Sequence, residues 1–236
     1  MSYVELDDGV RLWSAVSGQG APVVLLNGGP GMADYLQPVA DLLNEREGLF
    51  QVFRYEQRGC GRSDAKPPFT LQQFVADLES LRCAWGLQQL YLVGHSWGVD
   101  LGLAYALAYP HNVQALVGLS GGRVHNDRTW KAAYDERKHL EAPPPAAGEH
   151  SVEINKALND DWKRFCRAPD LLQALSRLPT RALFIYGRDD IRPSWPTEQI
   201  AQLLPEAKLE FVEDADHYPW VAKPAEVQEL MIEFLR

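Results

Sequence analysis

Short apolar runs alternate along the chain with longer segments whose apolar residues recur at helical spacing. Positions 10–17 contain an alternating stretch of apolar and polar residues, Val23-Val24-Leu25-Leu26 is apolar throughout, and 49–55 reads as a third strand. The first two are expected to open the fold as a hairpin-type start. Helices are then expected around 35–46 and 71–85, a strand at 90–93, and a helix after residue 96 that Pro110 ends. Further strands follow at 113–119, 181–186 and 208–212, with helices around 198–204 and 225–235. Thr70 and Gln73 have the spacing of a capping box for the helix at 71–85. Strands alternating with helices imply crossover connections, hence an α/β fold with a mostly parallel sheet covered on both faces. Between 123 and 178 the rhythm is lost. That stretch is polar and helical in character, holds Pro143-Pro144-Pro145-Ala146-Ala147-Gly148, and carries a helix start at Asp170 after Pro169. The expected organisation is a core of residues 1–122 and 179–236 with a small helical cap inserted at 123–178.

Composition narrows the class. A chain of 236 residues, 46% hydrophobic, can bury one substantial core with one insertion. Its net charge of −9, with lysines and arginines scattered, argues against nucleic acid or an anionic membrane as partner. The first eight residues have no basic start and no apolar stretch of signal-peptide length, and no run is long enough to span a bilayer. A cytoplasmic protein acting on a small molecule or short peptide is expected. Cys60, Cys83 and Cys166 are odd in number and far apart, as in a reducing compartment, and receive no catalytic role. There is no paired His or Cys spacing of the zinc type and no phosphate-loop spacing, so neither metal nor cofactor is expected.

The chemistry centres on Gly94-His95-Ser96-Trp97-Gly98, which lies between an apolar run and a small-residue helical run. A strand that turns straight into a helix at a serine projects the hydroxyl outward, and flanking glycines remove the Cβ atoms that would collide. A serine needs a base, and the base needs a carboxylate that sets its tautomer. His217 lies in the loop after the last strand, where sites of parallel sheets are built. His111, His125, His139 and His150 lack such context and are expected in cap or surface stretches; His95 is expected to be structural. The strand at 181–186 runs into Gly187-Arg188-Asp189-Asp190. Neighbouring side chains there point in different directions, so one aspartate faces His217; Asp190 is favoured, with Asp189 the alternative. The order Ser96, Asp190, His217 suits this fold. Asn27-Gly28-Gly29-Pro30-Gly31 follows an apolar strand. Because Pro30 lacks an N–H, Gly29 is the expected oxyanion donor, paired with the Trp97 amide at a helix N-terminus. Trp97 and Trp220 are candidate pocket residues, although large aromatics are more often core residues.

Asn27-Gly28-Gly29-Pro30-Gly31, Glu56-Gln57-Arg58-Gly59-Cys60-Gly61-Arg62-Ser63, Gly94-His95-Ser96-Trp97-Gly98 and Gly187-Arg188-Asp189-Asp190 together resemble the proline iminopeptidase family of α/β-hydrolases. That resemblance places the acid at the end of the Gly-Arg-x-Asp stretch, Asp190, and implies an aminopeptidase or amidase acting on small substrates through an acyl-enzyme. Departures are Asn27 for a histidine, Glu56 for an aspartate, His95 for a glycine and Asp216 for a glycine. Arg58 and Cys60 are assigned structural roles. In that family acidic residues of a long cap receive the substrate amine; the compact segment here offers Glu136, Glu141, Glu149, Glu153, Asp160 and Asp161. The alternatives are a carboxylesterase, lactonase or carbon–carbon bond hydrolase on the same three residues, or, in another class, a low-turnover small-molecule-binding protein.

Overall fold

A computed structural model describes residues 2–124, 128–141, 143 and 149–236. His125 and the run 144–148 lie outside the described residues. Eight strands form one sheet in the order β1-β2-β4-β3-β5-β6-β7-β8. They are β1 (Ser2–Glu5), β2 (Arg11–Gly18), β3 (Ala21–Leu26), β4 (Phe50–Tyr55), β5 (Leu90–His95), β6 (Val113–Leu119), β7 (Arg181–Gly187) and β8 (Ala207–Val212). β1, β2 and β4 pair antiparallel; every other neighbouring pair is parallel.

The hairpin-type start takes a different form from the expected one. β2 pairs with β1 and β4, and β4 separates it from β3. The reason is burial. Val23 and Leu25 belong to the core on one face of the sheet, Val24 and Leu26 to the core on the other. A strand apolar on both faces is stable only between parallel neighbours covered by helices, whereas β2 begins and ends exposed and suits the antiparallel side. β1, whose Ser-Tyr-Val-Glu pattern gives a weak apolar signal, forms the edge.

The helices are α1 (Gln37–Asn44), α2 (Leu71–Ala84), α3 (Trp97–Ala108), α4 (Arg128–Arg137), α5 (Val152–Phe165), α6 (Leu171–Leu175), α7 (Trp195–Leu203), α8 (Pro219–Ala222) and α9 (Pro224–Leu235). The Thr70 hydroxyl accepts the Gln73 N–H at 3.2 Å and starts α2. Between β6 and β7 lie α4, a short 3-10 turn (Lys138–Leu140), α5 and α6. Among the described residues no helix is long and apolar enough to cross a membrane, and no group of three or more metal-ligating side chains occurs.

The loop after β4 is a buttress. Arg58 is wholly buried, its guanidinium bound by both oxygens of Asp77 at 2.6 and 2.8 Å and by Asp8 at 2.8 Å. Gln57 Nε2 donates to the Asn27 carbonyl at 3.2 Å, and Asn27 Nδ2 donates to the Tyr55 carbonyl at 3.1 Å. The signature loop thus braces the start of the glycine-rich loop at 27–31, and Cys60 is buried within it.

Candidate active site

The strand order changes direction between β3 and β5, and a ligand crevice opens at such a switch point, beyond the carboxyl ends of the strands. The loop at 27–31 leaves β3 there, and Ser96 follows β5. Ser96 has φ 53° and ψ −120°, a conformation that costs about 1–3 kcal/mol for a residue with a side chain. Tight packing holds it. A Cβ on Gly98 would lie 2.1 Å from the Leu26 carbonyl oxygen, and one on Gly94 would lie 2.6 Å from the Gly98 backbone. The glycines let α3 approach β3 so closely that the turn has no other course.

β7 and β8 bring the other two expected residues together. Asp190 and His217 are both buried, and His217 Nδ1–H donates to Asp190 Oδ2 at 2.6 Å. That bond leaves Nε2 bare. Asp190 Oδ1 accepts the Arg192 N–H at 2.9 Å, so the carboxylate is held from both sides. Asp189 is exposed and takes no part. Burial pushes the His217 pKa below its ordinary value, against the charge and hydrogen bond of Asp190, which raise it.

Ser96, His217, Gly29 and Trp97 line one cavity of about 590 Å³. Among the described residues, no internal acceptor takes the N–H of Gly29 or of Trp97. Two unpaired backbone donors therefore flank the serine. The cavity is roofed by Trp130 and Tyr134 of α4, four residues apart on one helix face and stacked with centroids 5.4 Å apart. Trp220, the other candidate pocket tryptophan, packs edge-on against His95 in the core instead.

His95 proves to be part of a relay. Its Nε2 lies 3.0 Å from the His217 carbonyl, which can only accept, so Nε2 carries the hydrogen and Nδ1 is bare. Tyr35 donates its hydroxyl hydrogen to Nδ1 at 2.5 Å and accepts the Gly28 N–H at 2.9 Å. Burial holds the His95 pKa well below its ordinary value, keeping the ring neutral. These bonds tie the backbone of His217 to the glycine loop. The sequence offers no sign of Tyr35's part in them, because the two partners are 60 residues apart.

Of the acidic residues of the inserted segment, Glu141 lines the cavity. It is already engaged: Tyr134 donates its hydroxyl at 2.7 Å, and Arg192 forms an ion pair with it. Arg192 joins this segment to the loop after β7, and nothing in its spacing marks it. His150 reaches the cavity rim, while His111 and His139 are exposed away from it. Arg123 also lines the cavity, paired with Asp100, whose pKa burial pushes up to about 6.

The alpha/beta hydrolase fold family matches residues 21–142, and the chain belongs to that family. Among its relatives is a proline iminopeptidase of Lactobacillus delbrueckii subsp. lactis, 26% identical over 265 residues that cover 91% of this chain and 90% of that one. Among solved structures, a carboxylesterase study of the ammonia-oxidizing thaumarchaeon Nitrososphaera gargenis matches with a TM-score of 0.80 at 20% identity, covering 99% and 97% of the two chains. Proline iminopeptidase from Mycobacterium smegmatis matches with a TM-score of 0.75 at 18% identity, covering 99% and 97%.

Proposed function

We propose that the protein is a serine hydrolase that cleaves small ester or amide bonds through an acyl-enzyme on Ser96. His217 Nε2 takes the hydroxyl proton as Oγ attacks the substrate carbonyl carbon, and the Gly29 and Trp97 amides hold the oxygen as it gains charge. The imidazolium returns that proton to the leaving group. Water, deprotonated in turn by His217, then breaks the acyl bond and restores Ser96. Asp190 keeps the hydrogen on Nδ1 and stabilises the imidazolium. The observation that carries this reading is convergence: a serine at positive φ, a buried aspartate–histidine pair and two unpaired amides meet on one cavity.

Relatives named proline iminopeptidase support a prolyl amide or peptide as substrate. The engagement of Glu141 by Arg192 and Tyr134 supports the second reading, a substrate without a free amine, such as an ester. Paired reporters separate them: a prolyl amide with a free amino terminus and a short-chain aryl ester, each with Ser96→Ala as blank. Cleavage of the amide, lost when its amine is acetylated, would establish the peptidase reading. Ester cleavage alone would establish the esterase.

The pH dependence follows from His217. Only the neutral imidazole accepts the serine proton, and burial favours that form, so activity is lost as pH falls through a depressed pKa. The kcat/KM profile for a neutral ester should therefore rise with a midpoint below 6.5 and stay level above it until the enzyme unfolds. A midpoint above that value would contradict the burial argument.

A further inference from the structure

We infer that Asn155 of α5 is a positioning residue for the oxyanion donors, so that the inserted helical segment sets the geometry of the glycine-rich loop; this rests on the serine hydrolase reading above. Asn155 Nδ2 donates to the Gly29 carbonyl at 3.0 Å and to the Pro30 carbonyl at 2.8 Å. The orientation of its amide is fixed by those carbonyls and by Asn159, whose Nδ2 donates to Asn155 Oδ1 at 3.2 Å and to the Asn155 carbonyl at 2.8 Å. Two backbone bonds extend the seam. Ser151 N–H donates to the Gly31 carbonyl at 2.9 Å, and Ala33 N–H to the Glu149 carbonyl at 3.0 Å.

The loop needs such clamps. Gly28, Gly29 and Gly31 have no Cβ to restrict them, and Gly29 holds φ +116°. A donor that wanders stabilises a developing charge poorly, since the benefit of an oxyanion site depends on its being arranged beforehand. Tyr35 grips the loop upstream through the Gly28 N–H, and Asn155 grips it downstream through two carbonyls, so the peptide bearing the Gly29 N–H is held between them. It follows that α5 is a strut fastened to the core. Trp130 and Tyr134 of α4 line the same cavity but are tied elsewhere, Trp130 Nε1 donating to the Pro193 carbonyl at 3.0 Å and Tyr134 to Glu141 at 2.7 Å.

Asn155→Ala and Asn155→Asp test this with a neutral aryl ester and a trifluoromethyl ketone of matching acyl chain, whose adduct with Ser96 carries an oxyanion. Losing one oxyanion donor costs roughly 10²–10³ in kcat; displacing one should lower kcat about tenfold in Asn155→Ala and about a hundredfold in Asn155→Asp, whose carboxylate faces two carbonyls. KM should stay within about twofold, and affinity for the ketone should fall in step with kcat/KM. A purely structural role predicts that kcat measured well below each variant's melting temperature matches the parent; a positioning role leaves both variants slow there, Asn155→Asp the slower. A kcat for Asn155→Asp within about twofold of the parent, or a loss carried by KM with unchanged ketone affinity, would overturn the inference. Ser96-independent turnover would remove the serine hydrolase reading and this inference with it.

Discussion

Replacing Ser96 by alanine should lower kcat/KM for a short aryl ester by at least about 10⁴-fold, because the acyl-enzyme has no other oxygen on which to form. At 1.36 kcal/mol per decade that is about 5.5 kcal/mol of barrier. Residual turnover would come from water placed in the cavity with the amides still present. The substitution is structurally mild. Serine and alanine share the Cβ at φ 53°, so the strained turn, α3 and the packing of Gly98 on Leu26 are all kept. Loss of activity with an unchanged melting temperature would therefore be chemical. A serine-directed phosphonate gives a second readout, a mass increase of one adduct on the parent protein and none on Ser96→Ala. Full turnover by the alanine protein would end the serine hydrolase reading.

Asp190→Asn should cost nearly as much, about 10⁴-fold in kcat, by reversing a tautomer. Asp190 Oδ1 accepts the Arg192 N–H at 2.9 Å, so the asparagine keeps its oxygen there and turns its NH₂ toward His217. The ring must then accept at Nδ1, which moves its hydrogen to Nε2, the nitrogen that the mechanism needs bare. Asp189→Asn is the matched control. Asp189 is exposed, and among the described residues its engagement is a 2.8 Å bond from its N–H to the Ala215 carbonyl, so the activity of Asp189→Asn should stay within about twofold of the parent. The reverse result, a loss in Asp189→Asn and none in Asp190→Asn, would reassign the acid. The choice between two adjacent carboxylates would then lie with the other residue.

Much of this site is legible in the sequence. The elbow at Ser96 is a local matter: its glycines, the apolar run before it and the helix after it are all within a dozen residues. Asp190 and His217 each follow a strand, and the rule that sites gather at the carboxyl ends of parallel strands carries information across the 121 positions that separate Ser96 from His217. The sheet edge was less legible, because β1 has a weak pattern and because pairing between β2 and β4 depends on what covers each face. Tyr35, Asn155 and Arg192 were not legible at all. Each is a common polar residue whose role comes from partners 51 to 126 positions away.

The α/β alternation, the strand-to-helix turn at Ser96, the glycine-rich loop and the chain order of Ser96, Asp190 and His217 can all be read from the amino-acid sequence. All of these rest on periodicity and on backbone conformations that particular residues permit. The fold turns the preference for Asp190 into a hydrogen bond to His217, and adds what no sequence pattern carries: the His95 Nε2 contact to the His217 carbonyl, the engagement of Glu141, and the clamp of α5 on the loop at 27–31. The physical reason is that hydrogen bonds and ion pairs act over about 3 Å, and only folding brings such distant positions within that range.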